Sequence, residues 1–100
     1  MKVVLTAAAE NQLRALPVPA ARRVVRSLRQ LQVAPRSGRA YPDDSPFRGA
    51  YYKVVVVRAR RWSYRISYEV RGDALWIRSI HPSWYPLTHP GLAALPPDDE

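Results

Sequence analysis

The sequence contains no cysteine and only two histidines, which restricts the disulfides and metal sites that it can form. Without cysteine, the chain has neither a disulfide framework nor a thiolate metal site. His81 and His89 stand eight residues apart in proline-rich chain with no acidic cluster beside them, which does not match the spacing of a metal site. A glycine-rich phosphate loop and a serine triad are missing as well. We therefore expect neither a metal nor a cofactor.

The sequence also lacks a long apolar run. Its first stretch, MKVVLTAAAENQLRAL, has one lysine and a short apolar segment, but Glu10, Asn11 and Arg14 interrupt it too early for a signal peptide or a membrane span. One hundred residues provide one small core and no second independent unit. The prediction is a single-domain cytoplasmic protein with no membrane partner.

Acidic residues are few, and those present are unevenly placed. The chain has 16 Lys and Arg against 8 Asp and Glu, and three of the acids are the last residues, Asp98, Asp99 and Glu100. All the cations except Lys2 and Lys53 are arginine, whose planar fork suits phosphate and carboxylate groups. This balance indicates RNA, DNA or an acidic protein as a partner. A solubilising surface is the simpler alternative.

The first third of the chain predicts a strand followed by a helical hairpin. KVVLT is rich in β-branched residues, and Thr6 can cap a helix that begins at Ala7. The prolines of PVP end this helix, and AARRVVRSLRQLQV then has an amphipathic pattern. One side of the first helix carries Ala9, Leu13 and Leu16, and one side of the second carries Ala21, Val24, Val25, Leu28, Leu31 and Gln32. A basic face, either solvated or an approach surface for a polyanion, comprises Arg22, Arg23, Arg26 and Arg29.

The rest of the chain predicts a loop, three strands and a tail. Residues 34–50 are rich in proline and glycine and have no period, which indicates a long loop. YYKVVVVR, WSYRISYEV and ALWIRSI then give three strand signals, with a tight turn at Gly72 between the last two. Residues 82–100 hold five prolines. We predict that this tail lies across the body through Trp84, Tyr85 and Leu87 and frays at its acidic end.

Arg65 lies in the middle of a strand whose side chains alternate between two faces. In WSYRISYEVR, one face receives the large apolar and aromatic residues Trp62, Tyr64, Ile66, Tyr68 and Val70. The helices are the natural partner of that face, so Arg65 falls on the other one. A strand in this setting can hold a cation rigidly against an anionic group. The alternative is an ordinary ion pair with Glu69 or with an acid on a neighbouring strand.

The order of strand, helical hairpin, proline-rich loop and three-stranded antiparallel ribbon resembles the RelE/ParE family of bacterial toxins. FRGAYYKVVVVR followed by YRISYEVRGDALWI carries the resemblance, which covers roughly residues 1–81. YRISYEV is its most specific part, and LTAAAENQLRAL fits the usual start of the family. The resemblance implies an α+β fold in which an N-terminal strand and a two-helix hairpin pack on an antiparallel sheet of about four strands. Residues 82–100 would then form a tail on this domain.

The resemblance also implies a function, that of the toxin in a type II toxin–antitoxin pair. RelE-like members cleave messenger RNA on the ribosome without a metal, by attack of a 2′-hydroxyl on the adjacent phosphate. The resemblance implies partners of three kinds: an antitoxin with an acidic segment, the ribosome and mRNA.

Several residues receive roles from this resemblance or from their place in the chain. Arg65 matches the arginine that stabilises the phosphate, and Lys53 matches a lysine on the preceding strand. His81 and Tyr85 are the nearest candidates for an acid or a base. The candidates for RNA binding are Arg58, Arg60 and Arg61, with Trp84 as a stacking platform.

Two departures from the family pattern leave other functions open. Val55 stands where some members have a further lysine, and the basic residue that usually ends the ribbon is missing after Ile80. A ParE-like toxin, which poisons DNA gyrase without cutting RNA, is the first alternative. An inactive or differently targeted protein with the toxin fold is the second. The nuclease hypothesis predicts that Arg65 and Lys53 share one open sheet face, with at least one of His81, Tyr85 and His89 nearby.

Overall fold

Two helices and five strands make up the part of the chain that the structure describes. The structure is a computed structural model and describes residues 1–57 and 62–82. In chain order the elements are β1 (Lys2–Leu5), α1 (Ala7–Ala15), α2 (Val18–Val33), β2 (Arg39–Ala40), β3 (Tyr51–Val57), β4 (Trp62–Arg71) and β5 (Ala74–Pro82). The predicted α+β class with a helical hairpin is confirmed. The tail beyond residue 82 lies outside the described residues, so the predicted division of the chain stays a prediction.

The strands form one sheet in the order β1-β5-β4-β3-β2. The sequence predicted about four strands, and the fifth is β2, whose two residues pair with the start of β3 in a segment predicted as loop. β1 runs parallel to β5, whereas the other three pairs are antiparallel. The sheet is therefore mixed, with the long strands β4 and β5 at its centre.

Side chains at the start of each helix fix the hairpin. The hydroxyl of Thr6 accepts a hydrogen bond from the Ala9 amide at 3.2 Å, which is the predicted cap of α1. The same hydroxyl donates to the carbonyl oxygen of Arg78 at 3.1 Å and so ties the start of α1 to β5. α2 begins after Pro17 and has Pro19 in its first turn, where an amide donor is not needed.

The alternating side chains of β4 divide the sheet into a helix face and an opposite face. Tyr64, Ile66 and Tyr68 point to the helix face, and Ile66 and Tyr68 are completely buried there. This is the face that the sequence predicted for them. The helices complete the core with Ala9, Ala20, Val24, Leu28 and Leu31.

A β-bulge in β5 allows that strand to contribute more to the core than strict alternation permits. Consecutive residues of β4 pair with Ser79 and Ile77, so Arg78 is an extra residue in β5. Because of this extra residue, Ile77 and Ile80 both reach the core although they are three positions apart.

The loop before β3 covers part of the opposite face. Tyr41, Phe47 and Ala50 are buried together and pack against Tyr52 of β3. The Tyr41 amide donates to the Ala50 carbonyl oxygen at 3.0 Å and closes the base of this loop. The loop is therefore a packed unit that holds aromatic rings against one end of the sheet.

Gly38 packs closely against Tyr68 of β4 and the backbone of Tyr52 in β3, which leaves no room for a side chain at this position. An added Cβ would come within 2.5 Å of the Tyr68 hydroxyl and 2.7 Å of the Tyr52 carbonyl oxygen. We expect Gly38→Ala to lower the free energy of unfolding by about 1–3 kcal/mol, because the Tyr52 backbone must shift. The variant should also weaken the bond from the Gly38 amide to the Tyr68 hydroxyl.

Urea unfolding of the two proteins measures this difference. Ser37→Ala is the matched control because Ser37 is an exposed neighbour, and it should change stability by less than about 0.5 kcal/mol. An equal loss in both variants would contradict the steric explanation.

Candidate functional site

Arg65 lies at the centre of the sheet face opposite the helices. Its neighbours across the strands are Val54 on β3 and His81 on β5. The residues on either side of it in β4, Tyr64 and Ile66, are buried against the helices. The predicted face of Arg65 is therefore confirmed. Two paired strands flank its backbone, which gives the side chain a rigid base.

The guanidinium of Arg65 lies over an aromatic ring and has unused hydrogen-bond donors. Its Cζ is 4.5 Å from the centroid of the Tyr52 ring, the geometry of a cation–π interaction. Its Nε and Nη1 are buried and have no hydrogen-bond partner within the described part of the chain. A buried donor without a partner costs about 1–3 kcal/mol. An anionic group could pair with these nitrogens only after the groups that cover them move, because both atoms are closed to solvent.

Glu69 does not neutralise Arg65, although the sequence allowed that pairing. The Glu69 carboxylate accepts hydrogen bonds from Arg71 at 2.8 Å and from Arg78, whose position in the bulge brings it close. Arg71 also lies 5.1 Å from the centroid of the Trp76 ring. The acid on the same face of β4 therefore already holds two other guanidinium groups.

Neutral polar groups lie on the loop side of Arg65. Tyr41 is 4% exposed, and its hydroxyl is 2.6 Å from the Ser67 Oγ. Burial raises the pKa of Tyr41, while the hydrogen bond with Ser67, the charge of Arg65 and a weaker hydrogen bond with Arg65 oppose the rise. The phenol is therefore neutral at pH 7 and adds no charge to the site.

Tyr41 and Tyr52 were not among the residues predicted for the site. Tyr52 had only a partial signal in the sequence, its parity with Val54 in β3, because the pairing of Val54 with Arg65 is known from the structure alone. Tyr41 had none, because it follows a two-residue strand in a segment without any period. Only the packing of the loop brings its ring to 4.9 Å from the Tyr52 ring, centroid to centroid.

His81 is half-buried beside Arg65, as the nuclease hypothesis required of at least one candidate. Its Nδ1 lies 3.2 Å from the Pro82 carbonyl oxygen, and since a carbonyl only accepts, the ring donates from Nδ1. Burial chiefly lowers the pKa of His81, the charge of Arg65 lowers it further, and the Pro82 carbonyl opposes both. At pH 7 the ring is therefore neutral.

Lys53 does not share the face of Arg65, and that part of the sequence prediction is wrong. Lys53 pairs with Ile66, the residue after Arg65, so the alternation of β3 directs it to the helix face. Its Nζ lies 3.5 Å from the Oε1 of Gln30 on α2. The β3 residues on the face of Arg65 are Val54 and Val56, which are 43% and 42% exposed.

Several predicted site residues cannot be compared with the structure, because they lie outside the described residues. They are the RNA-binding candidates Arg58, Arg60, Arg61 and Trp84, the candidate acid or base Tyr85, and the weaker candidate His89. Their roles stay predictions.

A second surface feature is a groove of about 620 Å³ between α1 and α2. Its apolar lining comprises Leu13, Leu16, Val18, Ala21 and Val25, and its basic rim includes Arg22, Arg26 and Arg29. The remaining lining residue, Arg14, is paired with Glu10 at 2.7 Å. The groove thus combines apolar and positively charged walls, which suit an amphipathic acidic segment.

The described part of the chain contains neither a cluster of metal ligands nor a helix that could span a membrane. Within residues 1–57 and 62–82, no three His, Cys, Asp or Glu side chains come together as they would around a metal ion. Neither of the two described helices has the length and apolar character to cross a bilayer.

The architecture, with a helical hairpin on one face of a five-stranded sheet, is a RelE-like fold. Among solved structures, a chain of the intact E. coli RelBE toxin–antitoxin complex is similar, with a TM-score of 0.63 and 17% sequence identity. The similarity covers 80% of this chain and 93% of that one. No protein-family model and no curated protein matches the sequence. At this identity the likeness establishes the fold, as the sequence predicted.

The lowered pKa of His81 predicts a pH dependence of stability. Between its ordinary value of 6.5 and the lowered folded value, the unfolded chain binds a proton that the folded protein does not. The free energy of unfolding should therefore fall as the pH decreases through this window, by at most about 1.4 kcal/mol per pH unit.

Urea unfolding between pH 7.5 and pH 5 measures this slope, with His81→Gln as the comparison. The variant should show a smaller loss of stability over the same range, because residue 81 then no longer titrates. Identical slopes in the two proteins would contradict the assignment to His81.

Proposed function

We propose that this chain is the toxin of a bacterial type II toxin–antitoxin pair, acting in the cytoplasm as a metal-independent, ribosome-dependent mRNA endonuclease. The observation that carries the proposal is Arg65, whose buried donors have no partner among the described residues and which lies beside the neutral His81. The RelE-like fold and the YRISYEV strand support it.

The proposed reaction needs a charge stabiliser, a base and an acid. The RNA 2′-oxygen forms a bond to phosphorus, the bond from phosphorus to the 5′-oxygen breaks, and the products carry a 2′,3′-cyclic phosphate and a 5′-hydroxyl. Arg65 stabilises the added negative charge on the phosphoryl oxygens. The neutral ring of His81 is the candidate that accepts the proton of the 2′-hydroxyl. Tyr85 is the candidate that returns a proton to the 5′-oxygen.

A ParE-like inhibitor of DNA gyrase is the second candidate function. The exposed Val54 and Val56 beside Arg65 favour it, because a nuclease would gain from cations at positions that meet the RNA backbone. The contact of Lys53 with Gln30 on the helix face favours it for the same reason. Such a toxin would damage DNA and leave mRNA intact.

Mapping of mRNA 5′ ends after induced expression in a bacterium tests the first function. The wild type should generate new 5′ ends within translated regions, and Arg65→Ala should reduce them by about 100-fold or more, because it removes the stabiliser of the transition-state charge. Arg71→Ala is the matched control, since Arg71 lies on the same strand and face but is paired with Glu69.

Three results would contradict this function in different ways. Cleavage that persists in Arg65→Ala would show that Arg65 is not the stabiliser. Growth arrest with DNA damage and intact mRNA would favour the gyrase inhibitor. No arrest by a folded wild-type protein would favour an inactive or differently targeted protein with the toxin fold.

The partner that we propose is an antitoxin with an acidic segment, and the groove between α1 and α2 supports its chemistry. The apolar lining suits the apolar face of such a segment, and Arg22, Arg26 and Arg29 suit its carboxylates. The groove lies on the helical layer, and Arg65 lies on the sheet face opposite that layer. The antitoxin would therefore bind through a surface separate from the catalytic residues.

Reversal of charge at the rim tests this partner. Arg26→Glu should weaken binding of the candidate antitoxin, the protein encoded beside the toxin, by about tenfold or more at low salt, and less at high salt. Arg23→Glu makes the same charge change at an exposed position of α2 outside the groove. Calorimetric titration at two salt concentrations measures both variants. Equal effects of the two variants would show that net charge, and not the groove, governs binding.

A further inference from the structure

The side chain of Arg65 is the last member of a continuous row of aromatic contacts that begins in the loop. The Phe47 and Tyr41 rings are 5.3 Å apart between centroids, and the Tyr41 and Tyr52 rings are 4.9 Å apart. The Tyr52 ring then lies under the guanidinium of Arg65. Of these three rings only that of Tyr52 belongs to a long strand of the sheet. The rings that pack against Tyr52 therefore come from the loop.

Tyr41 is the member of this row that places a buried hydroxyl group near Arg65. It is nearly completely buried, and its hydroxyl is used by Ser67, two residues along β4 from Arg65. A carboxylate at this place would form an ion pair with Arg65 and consume its charge. A leucine would fill the space but would leave the Ser67 hydroxyl without this partner. A neutral phenol fills the space, satisfies Ser67 and leaves the charge of the guanidinium available.

We propose that Tyr41 is a positioning residue that, through the Tyr52 ring and Ser67, holds the guanidinium of Arg65 in one orientation, so that its positive charge is available to an anion. Its effect on turnover rests on the function proposed above for Arg65. Its effect on the orientation of the guanidinium does not. The loop that carries Tyr41 then determines the precision of the site through the packing of Tyr41.

Nitrogen-15 NMR of the full chain observes this orientation directly. The Nε–H of Arg65 is buried and belongs to a guanidinium above the Tyr52 ring, so its signal should be shifted by the ring current and should exchange slowly with water. Arg65→Lys assigns the signal by removing it. Tyr41→Leu should move the signal towards that of an exposed arginine and speed its exchange by about tenfold or more.

Two other variants separate positioning from a general loss of structure. Tyr41→Phe keeps the ring and loses the hydrogen bonds of its hydroxyl with Ser67 and with Arg65, so it should retain the part of the shift that the row of rings provides. Tyr51→Leu is the matched control, because Tyr51 is the neighbouring tyrosine of β3 but stacks on Tyr68 on the helix face. This control should leave the Arg65 signal in place. If Tyr41→Leu does not fold, Phe47→Leu replaces it and should shift the signal in the same direction.

An unchanged Arg65 signal in a folded Tyr41→Leu or Phe47→Leu protein overturns the proposal. An equal shift in Tyr51→Leu also overturns it, because the effect would then follow from destabilisation alone.

Cleavage of mRNA gives a second readout that separates this inference from the proposed function. Tyr41→Leu should lower kcat by about tenfold or more with little change in KM, because the phosphate still binds but meets a misdirected guanidinium. Tyr41→Phe should recover most of kcat. Loss of cleavage in Arg65→Ala without any effect of Tyr41→Leu overturns the positioning role and leaves the function standing. Cleavage that persists in Arg65→Ala overturns the function, while the NMR result still decides the positioning role.

Discussion

The alternation of side chains along β4 is the constraint on which the rest of this molecule depends. Because β4 pairs on both edges, its residues point strictly to one face or the other, and a shift by one position would exchange the two sets. Ile66 and Tyr68 are completely buried against the helices, which fixes the register. The same register commits Arg65 to the opposite face and excludes Lys53 from it. The register of β4 therefore determines both the packing of the core and the geometry of the site.

The site combines a cation with surroundings that do not neutralise it. Glu69 is held by Arg71 and Arg78, and the groups on the loop side are an aromatic ring and neutral hydroxyls. In such surroundings a charge interacts more strongly with an incoming anion than it would in water. The buried donors of Arg65 lower stability, and the apolar core on the other face of the same strand offsets that cost. A strand that stabilises the fold on one side can thus hold a reactive group on the other.

The two surfaces proposed for function differ in how they recognise a partner. The groove on the hairpin has a broad apolar lining with several exposed arginines, which suits a long segment and gives salt-dependent binding. Arg65 is a single recessed cation with a defined orientation, which suits one compact anionic group. The core and the sheet lie between these surfaces, so binding at one need not obstruct the other. The fold shared with a chain of the RelBE complex at 17% identity is compatible with both uses but assigns neither.

The sequence by itself determined the helices, the three long strands, the cap at Thr6 and the face of Arg65, because each follows from local periodicity or capping chemistry. It wrongly placed Lys53 on the sheet face of Arg65, because a family resemblance does not determine the register of the strands. It also did not indicate that Tyr41 belongs to the site. Tertiary structure alone decided the parallel pairing of β1, the bulge at Arg78 and the approach of the loop to Arg65. These features join residues far apart in the chain. Their energies come from packing and hydrogen bonds that no local pattern encodes.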